Sequence, residues 1–341
     1  MSVKLNFNHG VVDLSMGAGG KAMNRLIDQL MKKAFTNEYL LQGEDQAVLP
    51  HIDGRIAMTT DSYVITPYFF PGGDIGSLAI CGTVNDLAVG GATPRYLSVG
   101  FILEEGLALS DLKQIVYSMA DTAAKADVML VAGDTKVVEK GKGDGIFINT
   151  TGIGVVRENF VTREVLTVGD CIIINGAIAE HGVAVMSKRV GLSFDCDVKS
   201  DVAPLNGLID QLYQSGCRLK TMRDPTRGGV AATLNEWAKQ YQVGIEIDES
   251  ALVIGEEVQS ACELLGLDPL FIANEGKVLI VCEAPEAQKV LACLTQDESG
   301  KNASIIATVK KEGEAYVNMQ TTFGGVRRVD WLSGEQLPRI C

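Results

Sequence analysis

Residues 75–103 read IGSLAICGTVNDLAVGGATPRYLSVGFIL, and this stretch decides the fold class. The apolar residues 75–89 predict a buried helix, the glycine pair at 90–91 ends it, and residues 95–103 predict a strand. Further strands are predicted at 55–60, 128–132 and 147–156, and further helices at 23–34 and 111–125, the latter capped by Ser110. This alternation predicts an α/β fold in which a mixed sheet has helices packed on one face.

A polar turn at residues 157–161 predicts a boundary between two α/β domains. We expect a first domain at 1–157, a second domain at 158–330 and a mobile tail at 331–341. In the second domain the pattern predicts strands at 171–175, 244–247, 278–282 and 304–309 and helices at 179–190, 205–214, 228–240, 256–265 and 286–294. The sequence has no fixed-period repeat, which excludes a solenoid.

The composition excludes several classes of protein. The chain has 341 residues, of which 46% are hydrophobic and 21% charged, so it can bury a large core. Its formal charge of −13 repels phosphate backbones and anionic lipid, which argues against nucleic-acid and membrane binding. No apolar run is long enough to span a bilayer, and residues 1–15 lack the apolar core of a secretion signal, so we expect a cytoplasmic protein. The eight cysteines form no C-x-x-C pair, so no zinc site is expected.

Five aspartates stand in short motifs that resemble turns, each expected in a loop just after a strand or beside a helix start. They are Asp45, Asp61, Asp86, Asp134 and Asp224. Carboxylates that converge cannot all ionise unless cations neutralise them, and Mg²⁺ takes such oxygen ligands together with nucleotide phosphates. Each aspartate taken alone is more often a helix or turn cap. The whole set, however, favours a site for a metal and a nucleotide.

Glycine-rich segments precede two of the predicted helices. Gly19 and Gly20 lead into the first of these helices, and Arg227 stands before the glycine pair at 228–229. The free N–H groups of a helix start can bind phosphate, and Arg227 would add a guanidinium. Neither segment matches a Walker loop or a dinucleotide-binding fingerprint, which argues against P-loop and Rossmann folds. Glycine is also common before helices that bind no ligand, so this pattern alone is not specific for phosphate binding.

Two charged residues are further candidates for chemistry. Lys136, two residues after Asp134, can neutralise phosphate charge, and Glu275 in a glycine-bounded turn can act as a general base. Both could instead be solvated surface charges. His181, after Glu180, is more typical of a packed or capping histidine, and we do not count it as catalytic.

The tail WLSGEQLPRIC at 331–341 places a thiol at the end of an extended segment. Trp331 suggests an anchor, Gly334 suggests a hinge, and Pro338 disfavours a helix. Such an arm suits a covalent carrier, because Cys341 is a soft nucleophile that can be loaded in one place and used in another. A frayed terminus is the alternative, although fraying does not require a thiol.

A set of motifs runs over essentially the whole chain. They are the glycine-rich loop with its helix, TDSYV at 60–64, FPGG at 70–73, ND at 85–86, AGDTK at 132–136, DPTRGG at 224–229, NEGK at 274–277 and PRIC at 338–341. Together they resemble the HypE family of [NiFe] hydrogenase maturation factors, within the superfamily of aminoimidazole-ribonucleotide synthetase and selenophosphate synthetase. The aspartate motifs are shared by the superfamily, whereas the PRIC ending is specific to HypE.

The resemblance implies a fold, a reaction and partners. The fold is the two-domain aminoimidazole-ribonucleotide-synthetase-like fold, whose N-terminal sheet pairs with that of a second subunit into a barrel-like homodimer core. The reaction is the ATP-dependent dehydration of an S-carbamoyl group on Cys341 to a thiocyanate. The carbamoyl group comes from the carbamoyltransferase HypF, and the cyano group goes to iron on the HypC–HypD complex.

The resemblance also implies a role for each matching residue. Mg-ATP would be held by Asp45, Asp61, Asp86, Asp134 and Asp224, with Asn85, Arg227, Gly19 and Gly20 assisting. Lys136 and Glu275 would serve the dehydration, with Glu275 as the proton acceptor.

Two alternatives stay open. One is another ATP-using member of the superfamily, such as a selenophosphate synthetase or a thiamine-monophosphate kinase. Selenophosphate chemistry needs a cysteine or selenocysteine in the glycine-rich loop, and residues 16–21 contain none. The other alternative is a non-catalytic scaffold that docks partners through its tail, which would leave the aspartates without a role.

Overall fold

The computed structural model describes residues 4–189, 198–332, 337, 339 and 340. Cys341, Gly334 and Pro338, on which part of the tail hypothesis depends, lie outside the described residues. The helices are α1 (Lys21–Leu26), α2 (Lys32–Ala34), α3 (Glu38–Gln42), α4 (Ile75–Val89), α5 (Leu109–Lys125), α6 (Glu180–Arg189), α7 (Asn206–Gln214), α8 (Gly229–Tyr241), α9 (Glu256–Leu265) and α10 (Ala284–Leu294). The strands are β1 (Ile56–Tyr63), β2 (Phe69–Phe70), β3 (Gly73–Asp74), β4 (Ala92–Glu104), β5 (Met129–Val138), β6 (Ile146–Val156), β7 (Cys171–Ile174), β8 (Thr221–Arg223), β9 (Val243–Asp248), β10 (Leu279–Cys282), β11 (Ser304–Glu312), β12 (Tyr316–Gln320) and β13 (Val326–Arg328).

The first half of the chain folds around a four-stranded mixed sheet. Its strand order is β1-β6-β4-β5, with only the β4–β5 pair parallel. Buried and accessible residues alternate along β4 and β6, which is the pattern of a sheet covered on one face. Helices α4 and α5 supply that cover. The predicted mixed sheet with helices on one face is therefore confirmed.

Helix α4 is the central helix of the molecule. Its sequence is apolar almost all round because it contacts the first sheet on one side and α5 and α7 on others. It begins with a capping box in which the Asp74 carboxylate accepts the N–H groups of Gly76 and Ser77, at 2.7 and 3.0 Å. It ends at the glycine pair 90–91, as predicted. Asn85 and Asp86 therefore sit in its last turns, on a rigid support.

The second half folds around a seven-stranded sheet of order β13-β12-β9-β11-β7-β10-β8. The pairs are antiparallel except for β12 and β9, which run parallel. Helix α8 packs on one side of this sheet, in the apolar cluster that contains Trp237, and α7 and α10 pack against the opposite cluster. The second domain is thus also a mixed sheet with helices, here packed on both of its faces.

Several elements differ from the sequence-based expectations. The amphipathic stretch at 23–34 is not one regular helix, because a π-helical turn at Ile27–Met31 separates α1 from α2. Helix α5 is capped by the backbone at Ala108, and the Ser110 hydroxyl instead donates to Asp111. Strands β8, β12 and β13 were not predicted, because they are short and lie at or next to the edges of the second sheet.

The face of the first sheet that points away from α4 and α5 carries a row of large side chains. Met58, Ile153, Tyr96 and Met129 are consecutive partners across the four strands, so they share this face. Met58 is 70% exposed and Met129 40% exposed. An apolar sheet face with this exposure is unusual for an isolated domain. Within the described residues, no helix combines the length and the apolar character needed to cross a membrane.

Candidate functional site

Three of the predicted aspartates meet at the junction of the two domains. Asp61 lies in β1, Asp86 lies in the last turns of α4, and Asp224 directly follows β8. The Thr59 hydroxyl donates a hydrogen bond of 2.8 Å to the Asp86 carboxylate. Arg227 of the second domain lies 3.7 Å from the Asp61 carboxylate, an ion pair that joins the domains. The junction therefore brings together three carboxylates and the guanidinium of Arg227 from distant parts of the chain.

The carboxylates at the junction repel one another. Burial, and then the nearby Asp86 and Asp61, raise the pKa of Asp224 to about 7. The pKa of Asp86 is also raised, chiefly by burial, although its bond from Thr59 opposes the shift. A cation placed among these groups would relieve the repulsion and favour their ionised forms. The chemistry of the donor set thus fits a hard divalent cation such as Mg²⁺.

Glu275 lies in the turn before β10 and is buried, with 3% of its surface exposed. Burial and the nearby Asp224 and Asp201 raise its pKa well above the ordinary range. Its Oε1 atom has no hydrogen-bond partner among the described residues. Asn85 holds the turn from the first domain, because its side-chain amide donates to the Glu275 carbonyl at 3.3 Å. A buried carboxylate oxygen without a partner is rare, and a donor group on a bound ligand would satisfy it.

The turn that carries Glu275 is fixed by a buried charge network. The Asp201 carboxylate accepts the backbone N–H groups of Glu275 and Gly276, each at 3.1 Å. Lys277 lies 3.3 Å from Asp201 and 3.0 Å from Glu180. Burial alone would lower the pKa of Lys277, but these two carboxylates raise it, so the ammonium stays charged. The Asp201 carboxylate, whose charge Lys277 neutralises, therefore holds the backbone of Glu275 in place.

The other predicted residues lie at the opposite edge of the first sheet. Asp45 and Asp134 both line a pocket of about 270 Å³ between the N-terminal helices and β5. Lys136 forms an exposed ion pair with Asp134, at 2.8 Å. Gly20 caps α1, and the glycine-rich loop contacts β5. At Gly19 a side chain would meet no atom within 4 Å, so the loop leaves open space above it.

The expectation that all five aspartates occupy loops is wrong for three of them. Asp61 continues β1 because it pairs with Thr150 of β6, and Asp134 continues β5 because it pairs with Gly100 of β4. Asp86 lies within α4, where its carboxylate accepts a hydrogen bond from the Thr59 hydroxyl. Nor does the described part of the chain bring all five together, since it contains no group of three or more His, Cys, Asp or Glu side chains arranged to hold a metal ion.

The described part of the tail returns to the domain junction. Ile340 is only 6% exposed and belongs to the same apolar cluster as Ala273, two residues before Glu275. The backbone carbonyl of Ile340 lies 2.6 Å from His181 Nε2. His181 is fully buried, as its interpretation as a packed histidine requires.

Sequence inspection missed several residues of this region. Asp201 belongs to no recognisable motif, and only its contacts with the turn at 274–277 reveal it. Lys277 stands in the NEGK motif, where its spacing from Glu275 was the available signal. Arg189 gave no signal, because a basic residue in the last turn of a helix is ordinary.

The chain matches two family models, one in each domain. Residues 43–156 match the family model "AIR synthase related protein, N-terminal domain", and residues 167–320 match "AIR synthase related protein, C-terminal domain". The two models together match most of the chain, so its two mixed sheets define an AIR synthase related protein. The carbamoyl dehydratase HypE of Rhizobium leguminosarum bv. viciae is 52% identical over 340 residues, which cover 99% of this chain and 97% of the relative. The chain belongs to the HypE family.

Solved structures agree with this assignment. The crystal structure of the hydrogenase maturation protein HypE in complex with ATP has a TM-score of 0.92 and 46% sequence identity, covering 96% of this chain and 99% of that chain. The crystal structure of a HypE–HypF complex contains a chain with a TM-score of 0.78 and 51% identity, covering 90% of this chain and 99% of that chain. The expectation drawn from the sequence motifs is confirmed at the level of family and fold.

Proposed function

We propose that this chain is an ATP-dependent carbamoyl dehydratase that converts an S-carbamoyl group on Cys341 into a thiocyanate. The observation that carries this proposal is the burial of Ile340, the residue before Cys341. Its side chain belongs to the apolar cluster that also contains Ala273, two residues before Glu275 with its unpartnered carboxylate oxygen. The segment that carries the thiol is thus docked on the protein at Ile340, as delivery of a carbamoyl group to an internal site requires. Neither a scaffold nor another enzyme of the superfamily requires that arrangement.

The reaction balances as a phosphorylation followed by an elimination. The carbamoyl oxygen attacks the γ-phosphorus of ATP, and the bond to the departing ADP breaks. The carbamoyl nitrogen then loses its protons, the carbon–oxygen bond breaks, and phosphate leaves with that oxygen. The product on sulfur is a nitrile. Amide oxygen is a poor leaving group and phosphate a good one, so positioning and charge neutralisation supply most of the catalysis.

Glu275 is the proposed proton acceptor. Its raised pKa makes it a stronger base than an exposed glutamate, and its unpartnered Oε1 is free to accept the carbamoyl N–H. It must reach the ionised form before it can act. Charge neutralisation of the neighbouring Asp224 by a bound cation would favour that form. Lys136 is proposed to neutralise charge on the transferred phosphoryl group.

Asp61, Asp86 and Asp224 are the proposed Mg²⁺ ligands at the junction, with Asn85 and Arg227 as neighbours of the nucleotide. Each Mg²⁺ ion would take one or two of these carboxylates and complete its shell with water and substrate phosphates. The ion would supply neutralisation of the phosphates, and the carboxylates would hold it.

A second copy of the chain is proposed to complete the site. Asp61 lies on one edge strand of the first sheet and Asp134 on the other, three strand spacings or roughly 14 Å apart. We propose that the sheets of two copies close into a barrel in which β1 of one copy lies beside β5 of the other. The exposed row that contains Met58 and Met129 would then be buried. Asp45, Asp134, Lys136 and the loop at Gly19 and Gly20 would face the junction residues of the partner copy.

The partners are proposed from the membership of the chain in the HypE family. A carbamoyltransferase of the HypF type would load Cys341, in agreement with the solved HypE–HypF complex. An iron-bearing acceptor, the HypC–HypD complex, would take the cyano group. Because the reaction consumes ATP and needs a reduced thiol, we place it in the cytoplasm.

The experiment is mass spectrometry of the terminal peptide after carbamoylation by the transferase. Addition of Mg-ATP should remove one water from the carbamoylated peptide in the parent protein. Cys341→Ala should acquire no carbamoyl group, whereas its affinity for ATP should persist. An unchanged peptide mass in the loaded parent would support the scaffold instead.

A further inference from the structure

One helix holds the end of the chain through backbone carbonyls. His181, in the first turn of α6, contacts the Ile340 carbonyl at 2.6 Å. Arg189, at the last residue of α6, donates from Nη2 to the Arg339 carbonyl at 2.7 Å. The two residues are eight positions apart, at the two ends of α6. The helix therefore binds two successive backbone carbonyls of the tail.

The imidazole of His181 is fixed by its surroundings. A carbonyl oxygen only accepts, so Nε2 must carry the proton, and Nδ1 of the neutral ring accepts from the Ser200 hydroxyl at 2.8 Å. The ring of Phe70 packs edge-on against the imidazole, with centroids 5.3 Å apart. The ring therefore has one orientation and one tautomer, both suited to donating to the tail.

Arg189 also ties the tail to the first domain. Its guanidinium donates to the Thr66 carbonyl from Nε at 2.9 Å and from Nη2 at 2.5 Å. The Thr66 N–H donates to the same Arg339 carbonyl at 3.3 Å. Arg339 in turn donates to the Thr66 hydroxyl at 3.1 Å and pairs with Asp144. The docked tail thus bridges α6 of the second domain and the segment after β1 of the first.

We propose that His181 and Arg189 form a tail clamp, a pair of positioning residues that seats the terminal segment for dehydration. The clamp recognises the tail by the carbonyls of Arg339 and Ile340 and by the buried Ile340 side chain. The role in dehydration rests on the proposed function, whereas the docking itself does not.

Trypsin reports docking directly, because it cleaves after Arg339, whose carbonyl the clamp holds. Cleavage of the undocked fraction follows its population. Arg189→Met in the full-length protein should speed release of the two terminal residues by about tenfold or more, as expected for loss of a charge-assisted hydrogen bond. The matched control is Lys188→Met, which removes the same charge from the exposed neighbouring residue. Equal cleavage rates in the parent, Arg189→Met and Lys188→Met would overturn the clamp.

His181 provides a second test with an internal rescue. His181→Leu removes the donor, whereas His181→Gln retains an amide N–H that can reach the Ile340 carbonyl. Trypsin should release the terminal residues faster from His181→Leu than from His181→Gln, with the parent slowest. Equal rates in the parent and His181→Leu would remove His181 from the clamp. Should His181→Leu not fold, the comparison of Arg189→Met with Lys188→Met decides alone.

The rate at which the carbamoylated protein loses water tests whether docking of the tail by His181 and Arg189 contributes to the reaction. Arg189→Met should lower kcat for water loss about tenfold and leave the KM for ATP unchanged, since the tail is seated less often. Equal kcat in Arg189→Met and the parent would overturn the positioning role. If Arg189→Met is cleaved faster but the parent protein itself loses no water, the clamp stands and the proposed function fails.

Discussion

At the scale of single residues, Glu275 combines burial with a carboxylate oxygen that has no hydrogen-bond partner among the described residues. Its sequence context, a short glycine-bounded turn, predicted a candidate base but could not predict burial. The raised pKa follows from burial and then from the charge of Asp224, which is 51 positions away in the chain. The candidate residue was thus accessible from sequence, whereas its burial and its raised pKa required the fold.

Glu275→Gln tests the proposed proton acceptor. Glutamine keeps the size of the side chain but cannot take a proton, so dehydration should slow by about a hundredfold or more. Calorimetric affinity for ATP should not change. Glu257→Gln on the exposed face of α9 is the matched control and should dehydrate at the parental rate. Parental turnover in Glu275→Gln would remove this residue from the mechanism.

His181 predicts a pH dependence of stability. Burial lowers its pKa below the ordinary value of 6.5, against a smaller opposing effect of its bond to Ile340 and of Asp201. Below that ordinary value the unfolded chain binds a proton that the folded chain does not. The free energy of unfolding should therefore fall as pH drops from 7 to 5, by at most about 1.4 kcal/mol per pH unit from this residue.

Urea unfolding at several pH values measures this contribution. The parent should lose stability with acidification more steeply than His181→Gln, because glutamine does not titrate. Parallel pH profiles for the two proteins would show that His181 is not the titrating group.

At the scale of elements, the hydrophobic pattern predicted those helices and strands whose residues are buried along their whole length. The apolar run of α4 and its glycine terminator predicted that helix closely. Pattern failed for β5, which was predicted to end at residue 132 but continues to Val138. Its polar residues Asp134 and Lys136 remain in the strand because β4 supplies hydrogen-bond partners, and this pairing is not visible in the local sequence.

The turn at 274–277 is the element most sensitive to change. A Cβ atom on Gly276 would lie 1.9 Å from the backbone oxygen of Asp201. Gly276→Ala should therefore destabilise the protein by about 1–3 kcal/mol and displace Glu275. Gly207→Ala is the control, since a Cβ there meets nothing within 4 Å, and removal of a helical glycine in α7 should stabilise by about 0.5–1 kcal/mol. Chemical denaturation measures both, and equal effects would contradict the steric explanation.

At the scale of the whole molecule, the predicted site residues fall into two groups on opposite edges of the first sheet. Asp61 and its neighbours at the junction form one group, and Asp134 with Lys136 forms the other. Motif analysis could name the members of both groups because each stands in a short characteristic segment. It could not predict their separation, since that depends on the strand order β1-β6-β4-β5, which the local pattern does not encode.

Met58→Asp tests the proposed second copy. Met58 is 70% exposed in the single chain, so the substitution should leave the folded protomer intact. A carboxylate buried between two sheet faces is unfavourable, and sedimentation should show a monomer that has lost ATP turnover. Leu264→Asp, at a 67% exposed position on α9, should remain a dimer with parental turnover. A parent that sediments as a monomer, or a dimeric Met58→Asp, would contradict the composite site.

The central claim is that ATP removes the carbamoyl oxygen as phosphate. A single turnover of protein carrying an oxygen-18-labelled carbamoyl group on Cys341 measures this directly, by mass spectrometry of the phosphate released. We expect one labelled oxygen in each phosphate formed with thiocyanate. Thiocyanate formed with unlabelled phosphate, and with the label in water, would contradict the claim.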